Sequence, residues 1–379
     1  MLTTDGEKRM VVGQSVQALD RRLSVAPMMD WTDRHCRYFL RGFSTTALLY
    51  TEMITASAVL RGDRERLLRF HVEEHPVALQ LGGSAPHSLA QAARVGAAAG
   101  YDEINLNCGC PSDRVQRGTF GACLMDQPAI VADCVAAICD AVDVPVTVKM
   151  RIGVVHHDGS DAREAAARFD QQDFDHLCGF VEATTRAGSA ASIVHARKAV
   201  LGAWSPRDNR EIPPLRYDVV RRLKQQFAHL PIILNGGLRD VASVRDALGW
   251  CDGVMLGREA YHRPMLLAEV EASDTPYSTS MAALVIARVL GRMADYAELE
   301  IASGERLSSI TRHMLGLLSH RAGAREFRRL LSEGARLPHA GPELIRQAAR
   351  LAAHGLEPTA AGPIAAERSH SGDRISGVY

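Results

Sequence analysis

The stretch Ile104-Asn105-Leu106-Asn107-Cys108-Gly109-Cys110-Pro111-Ser112 opens as an alternation of apolar and polar residues and breaks at Gly109-Cys110-Pro111. Alternation with a period of two marks a strand, and glycine and proline so close together stop the ladder and turn the chain outward. A thiol is therefore presented at the C-terminal end of a strand. Cys108 reads as a small buried hydrophobe, the ordinary fate of a cysteine. Cys110 differs through its neighbours: Pro111 follows it, the amide of Asn107 precedes it by three, and the glycine-rich turn Gly118-Thr119-Phe120-Gly121-Ala122 comes soon after.

Outward from this strand the chain repeats a unit. Short apolar runs stand at 24–29, 47–53, 76–83, 103–110, 145–153, 191–199, 231–237 and 253–261, each followed by a segment of helical spacing. Val146-Thr147-Val148, Ile232-Ile233-Leu234 and Val254-Met255-Leu256 are apolar on both faces, as parallel strands covered by helices are. Thr32-Asp33, Ser84-Ala85-Pro86 and Asp240 signal helix starts, and Leu89, Ala92, Ala93, Gly96 and Ala97 form an apolar stripe. Eight strands alternating with eight helices predict an α/β fold, a (β/α)₈ TIM barrel ending near Glu271. A doubly wound sheet is the alternative, disfavoured because no G-x-G-x-x-G follows an early strand.

Past a polar joint at 271–280, helical patterns run through 281–302, 307–318, 322–332 and 342–353, giving a small all-helical C-terminal domain. The expected division is a flexible segment at 1–22, the barrel at 23–275, the helical domain at 276–354 and a disordered tail at 355–379 rich in Pro, Ser, Gly and Ala. The 379 residues, 46% hydrophobic, suffice for a barrel and a smaller domain. The first twenty residues hold no apolar run of signal-peptide length, and no stretch reaches the roughly 18 apolar residues of a membrane span. The eight scattered cysteines contain no C-x-x-C pair, which argues against a zinc site and for reduced thiols. These features predict a cytoplasmic protein with no membrane association and no metal; a monomer is the expectation, though nothing in the sequence decides the oligomeric state.

Charge is balanced at 44 basic and 44 acidic residues, so the chain as a whole has no polyanion-binding signature. Between Val285 and Arg350, however, eleven arginines face seven acidic residues. Only four lysines occur (Lys8, Lys149, Lys198 and Lys224), so a lysine at a strand end is not background.

Chemistry in a TIM barrel sits at the C-terminal ends of the strands. There the sequence places Pro27-Met28-Met29, Gln80, Asn107 with Cys110, Lys149 with Arg151, His195 with Arg197 and Lys198, Asn235-Gly236-Gly237 and Gly257-Arg258. Glycines ending the seventh and eighth strands leave backbone N–H groups open to close approach, the usual phosphate position of this fold. Lys149 should point into the mouth, where a buried lysine needs an anionic or electron-rich partner. The edge of a flavin ring would serve, and a Schiff base is the other use. His195, Gln80 and Asn107 together would offer hydrogen bonds to a ring-shaped ligand.

Several ordered motifs resemble the tRNA-dihydrouridine synthases: Ser24-Val25-Ala26-Pro27-Met28-Met29-Asp30-Trp31-Thr32-Asp33, Leu79-Gln80-Leu81-Gly82-Gly83, the segment from Asn105 to Gln116, Val148-Lys149-Met150-Arg151-Ile152-Gly153, Ile193-Val194-His195-Ala196-Arg197-Lys198, Leu234-Asn235-Gly236-Gly237 and Gly257-Arg258-Glu259-Ala260-Tyr261. His195-Ala196-Arg197-Lys198 and the segment from Ser205 to Leu215 resemble the A subfamily. The resemblance implies an FMN enzyme that uses NADPH to reduce uridines 20 and 20a in the D-loop of tRNA, with a helical domain that helps hold the RNA. By position, Pro27, Met28, Met29, Gln80, Lys149, His195, Asn235, Gly236, Gly237, Gly257 and Arg258 would contact FMN. Asn107, Arg207, Arg210, Arg325 and Arg328 would contact tRNA, and Cys110 would be the proton donor.

The implied chemistry suits these residue types. Hydride from flavin N5 to uracil C6 leaves charge that must be protonated at C5, so a general acid is needed on the opposite face. A thiol of ordinary pKa, about 8.5, is protonated at neutral pH. A helix N-terminus would lower such a pKa, so Cys110 should sit on a loop and outside a helix's first turn. The loop at 154–174 is longer than expected for the subfamily and reads as an extra surface helix; its His156-His157-Asp158 cluster reads as non-metal, since adjacent histidines splay apart. Two rivals remain: a flavin barrel acting on a small enone or pyrimidine, with no use for the helical domain, and a non-catalytic RNA-binding barrel, which would purify colourless.

Overall fold

The computed structural model describes residues 19–112, 115, 118–156, 161–202, 204–272, 277–319 and 321–355. Eight parallel strands close on themselves: β1 (Leu23–Val25), β2 (Leu48–Tyr50), β3 (Val77–Gly82), β4 (Glu103–Cys108), β5 (Val146–Arg151), β6 (Ser192–His195), β7 (Ile232–Asn235) and β8 (Gly253–Leu256). Closure is made by Leu23 against Val254 and by Leu49 against Val77. Each expected run overlaps one of these strands, and the fold is a TIM barrel with further helices toward the C-terminus of the chain.

Period-two alternation sorts the side chains. Ile104, Leu106 and Cys108 of β4, and Val146, Val148 and Met150 of β5, join the apolar layer beneath the helices. The intervening residues face the axis, where Ala26, Leu48, Tyr50, Ala78, Ile193, Ile233 and Met255 fill the barrel. Cys108 is thus a packing residue, as expected. Asp33 caps the helix Arg34–Arg41 by accepting from Cys36 N, and Asp240 caps Val241–Leu248 with a reciprocal Ser243 contact. Pro86 opens the helix Pro86–Ala98 with no side-chain cap, its missing N–H being one the helix leaves unpaired anyway.

Two expectations need correction. The pattern at 307–318 forms a helix only over Leu307–Thr311 and continues as turns. Arg312 and His313 are drawn to Asp33 of the barrel, and Gly316 lies so close to His262 that a Cβ would come within 2.7 Å of its carbonyl oxygen. The loop after β5 does carry a short helix, Ala162–Ala167, but it begins with a strand, Val154–His156, that pairs in parallel with Ala199–Leu201. His156 bonds Asp126 at 2.7 Å, while His157 and Asp158 lie outside the described residues.

The remaining helices, Thr279–Ala302, Ala324–Ser332 and Glu343–Gly355, match their expected patterns closely. The first of them packs on the barrel helix Arg34–Arg41: Tyr38 stacks on Tyr296 at 4.1 Å, and Arg34 reaches Glu300 at 2.5 Å. At the other end of the barrel Arg21 pairs with Glu103 at 2.7 Å. The expected boundary at 275–276, most of the N-terminal segment and nearly all of the C-terminal tail lie outside the described residues. Among the described residues no helix is long and apolar enough to cross a membrane.

Candidate active site

Cys110 follows β4 in an irregular segment, outside any regular element. Asn107, the last inward-facing residue of β4, folds its amide back over the turn: Oδ1 accepts the N–H of Gly109 at 3.1 Å and of Cys110 at 3.0 Å. The carbonyl of Cys110 accepts from Ala122 N at 2.9 Å. Gly121 makes this possible, because its φ of 76° favours glycine and a Cβ there would come within 2.6 Å of the Cys110 oxygen. The thiol, partly exposed, stands 3.5 Å from Ser112 Oγ.

Beneath this loop runs a chain of buried polar groups. Asn107 Nδ2 donates to Gln80 Oε1 (2.8 Å), Gln80 Nε2 to Asn105 Oδ1 (2.7 Å), Asn105 Nδ2 to Thr147 Oγ1 (2.9 Å) and Thr147 to the Glu103 carboxylate (2.5 Å). Its direction is fixed at both ends, since backbone N–H groups only donate and a carboxylate only accepts. Each of the two amides nearest the mouth therefore keeps one N–H for another partner. Gln80 and Asn107 consequently offer donors to a ligand, which suits carbonyl oxygens of a ring.

The wall that continues from β4 through the adjacent strand β5 to β8 is cationic, with Lys149 in register beside Asn107. Lys149 Nζ donates to Asn235 Oδ1 at 3.0 Å, and Asn235 Nδ2 is held by Met255 O at 2.8 Å. Burial, then the charge of Arg151, pushes the Lys149 ammonium down to about 7. Burial, then Arg151 and Lys149, holds His195 well below its usual range, so its imidazole is neutral. That ring lies on Gly236, where a Cβ would come within 2.6 Å of it, and Gly236 and Gly237 have φ of 110° and 74°. Nothing lies within 4 Å of the position a Cβ would take at Gly257. Arg258 shares Glu211, at 2.9 Å, with Arg207, at 3.6 Å. A half-buried lysine whose one hydrogen-bond partner among the described residues is a neutral amide, a cradle of glycine backbone and the arginines around it fit a flat, phosphorylated, anionic ligand.

The remaining expected residues fall into two places. Pro27, Met28 and exposed Met29 form the turn after β1, where Met28 O accepts from Trp31 and Thr32, and Trp31 stacks on Tyr261 at 4.4 Å. Arg207 and Arg210 are exposed on the segment beside the mouth, whereas Arg325 and Arg328 are exposed on the separate helix Ala324–Ser332. Lys198 turns away from the mouth and binds both oxygens of Asp173 at 2.9 Å.

Arg151 stands at a strand end in the sequence with no role that its neighbours there assign. It is 2% exposed and bonds three backbone carbonyls, of Gly109 (3.0 Å), Lys198 (3.1 Å) and Asn209 (2.9 Å). Burying a charge costs several kcal/mol. Hydrogen bonds to charged groups contribute about 1.5–3 kcal/mol each, so three carbonyls can offset that cost. The signal available in the sequence is alternation: Arg151 lies two residues beyond Lys149 on β5 and must face the same way. The same rule places Asn105 and Thr147 inside, though not in one chain.

The sequence profile described as dihydrouridine synthase (Dus) matches residues 24–353. A protein of Xanthomonas campestris pv. campestris named tRNA-dihydrouridine(20/20a) synthase is 52% identical over 331 residues, covering 87% of this chain and 93% of the relative. Proteins of the same name from Pseudomonas aeruginosa and Pseudomonas syringae pv. tomato are 52% and 54% identical, each covering 83% of this chain, with 90% and 89% of the relatives.

Proposed function

The chain belongs to the dihydrouridine synthase family, and from that premise we propose that it reduces uridines 20 and 20a in the D-loop of tRNA to 5,6-dihydrouridine, with FMN as cofactor and NADPH as reductant. The observation that carries the mechanism is the peptide before Cys110, gripped by Asn107 and Arg151 beside the strand that carries Lys149. Lys149, His195, Asn235 and Gln80 would hold the flavin ring, with Pro27, Met28 and Met29 along its edge. Gly236, Gly237, Gly257 and Arg258 would take its phosphate. When bound, FMN supplies hydride chemistry, passing two electrons from NADPH to C6 of the uracil.

The residues of the chain do the rest. Cys110 breaks its S–H bond and gives the proton to C5, forming the second new C–H bond on the face opposite the hydride. The thiolate is reprotonated from solvent, because the thiol is partly exposed and the side chains next behind it, Asn107 and Gln80, are amides that do not release a net proton. The free N–H of Asn107 suits a uracil carbonyl and orients the base, while Lys149 steadies negative charge in the mouth. The base must leave its stack to reach this depth, which a single-stranded loop permits at small cost. Arg207 and Arg210 at the rim, with Arg325 and Arg328 beyond it, would grip phosphates. On this reading residues 23–275 are the catalytic barrel, 276–354 the RNA-holding domain, and the protein works as a cytoplasmic monomer.

The test is direct. The purified protein should be yellow, NADPH should bleach it, and nucleoside mass spectrometry should find dihydrouridine in an unmodified tRNA transcript. Cys110→Ala should still bleach but form product at least about a hundredfold more slowly, the scale of a lost general acid. Undiminished product from that variant removes Cys110 from the mechanism. A yellow protein that reduces a small enone or pyrimidine and not tRNA would replace the substrate, and a colourless one would favour a binding role.

A further inference from the structure

Three loops of the mouth converge on one side chain. Arg151 donates through Nε to the Gly109 carbonyl and through Nη1 to the carbonyls of Lys198 and Asn209. The Gly109 oxygen belongs to the same peptide bond whose N–H, on Cys110, is held by Asn107. The plane from which the thiol hangs is therefore gripped at both edges. Asn209 in turn anchors the segment bearing Arg207 and Arg210: it is fully buried, accepts from Val200 N at 2.6 Å and donates to Val200 O at 2.9 Å. All three contacts of Arg151 are to backbone, so the guanidinium responds to where these loops lie and not to their side chains.

We infer that Arg151 is a positioning residue that couples the Arg207–Arg210 segment to the Gly109–Cys110 peptide, so that an RNA phosphate seated on that segment sets the direction of the thiol. The inference rests on tRNA being the substrate and adds how its binding is felt at the acid. A rigid planar fork is what allows one side chain to span three carbonyls; a lysine keeps the charge but offers a single ammonium head. Arg151 and Arg210 also repel each other electrostatically, and a phosphate on Arg210 relieves that repulsion at the hub.

The experiment measures single-turnover reduction of a tRNA transcript by enzyme whose bound flavin has been reduced beforehand. Arg151→Met should slow it about a hundredfold, the scale at which a misplaced reacting group is felt. Arg151→Lys should be nearly as slow, and both should retain flavin and its bleaching by NADPH. Arg210→Ala alone should cost about tenfold, and adding it to Arg151→Met should leave the loss near a hundredfold instead of the roughly thousandfold of independent sites. A thousandfold loss in the double variant overturns the coupling, as does full activity of Arg151→Lys. If Arg151→Met loses its flavin, the same cycle built on Arg151→Lys decides by the same criterion. Absence of dihydrouridine formation by the unmodified enzyme overturns the substrate reading and the coupling with it, whereas activity with additive losses overturns the coupling alone.

Discussion

Lys149 carries its ammonium group to a strand end that offers it one amide oxygen, from Asn235, and no carboxylate among the described residues. Burial and Arg151 lower it to about 7 from an ordinary 10.5. Between those values the unfolded chain binds more protons than the folded one, so this group's contribution makes the ligand-free protein more stable as pH rises through the window. An anionic ligand beside the ammonium reverses the effect by favouring its charged form, so flavin binding should take up protons. At about pH 8, titration calorimetry in buffers of different ionisation enthalpy should reveal an uptake approaching one proton, largely missing from Lys149→Met. Uptake that is the same in both proteins would assign the proton to another group and leave the lysine a packing role.

The helix Ala324–Ser332 shows an element read correctly for a plain reason. Ala324, Phe327 and Leu331 recur at spacings of three and four and are buried, which puts Arg325, Arg328 and Arg329 on the outer face. With no packing role, Arg325 and Arg328 can be replaced together by alanine with stability unchanged to within about 0.5 kcal/mol. Binding of tRNA should weaken, and the slope of log affinity against log salt should fall by about 1 for each phosphate that the variant no longer neutralises. An unchanged slope would detach this helix from the RNA. Other elements were less legible. Val154–His156 and Ala199–Leu201 are three residues each, too short for alternation to register, and they meet only because a whole strand and helix of the barrel intervene. The turn of Leu307–Thr311 into irregular chain was hidden because its cause, the pull of Asp33 on Arg312 and His313, comes from the far end of the sequence.

Across the whole molecule, the barrel was readable because eight short apolar runs separated by helical spacing admit few other closures, and the turn after β7 because Gly236 and Gly237 take the positive φ that favours glycine. What could not be read was connection: the chain from Glu103 to Asn107 crosses three strands, and the three carbonyls of Arg151 come from loops far apart in sequence. Asp33 is the same kind of residue at the largest scale. Its carboxylate caps the first barrel helix through Cys36 N and binds Arg312 at 2.6 Å and His313 at 3.0 Å, so one side chain joins the turn after β1 to the C-terminal helices. Burial alone would raise its pKa, but His313, the Cys36 N–H and Arg312 outweigh that and hold the carboxyl well below the usual carboxylate range. A depressed carboxyl contributes stability that is present above its unfolded pKa, about 4, and lost as pH falls toward the folded value. Asp33→Asn keeps the cap but removes the charge, and should cost about 2 kcal/mol at neutral pH, the range for hydrogen bonds to a charged group. Denaturant unfolding of both proteins should show that gap narrowing below about pH 4, where the wild-type carboxyl begins to lose its advantage. A gap of constant size down to acid pH would mean that Asp33 joins the two regions by shape and hydrogen bonding alone, with its charge contributing nothing.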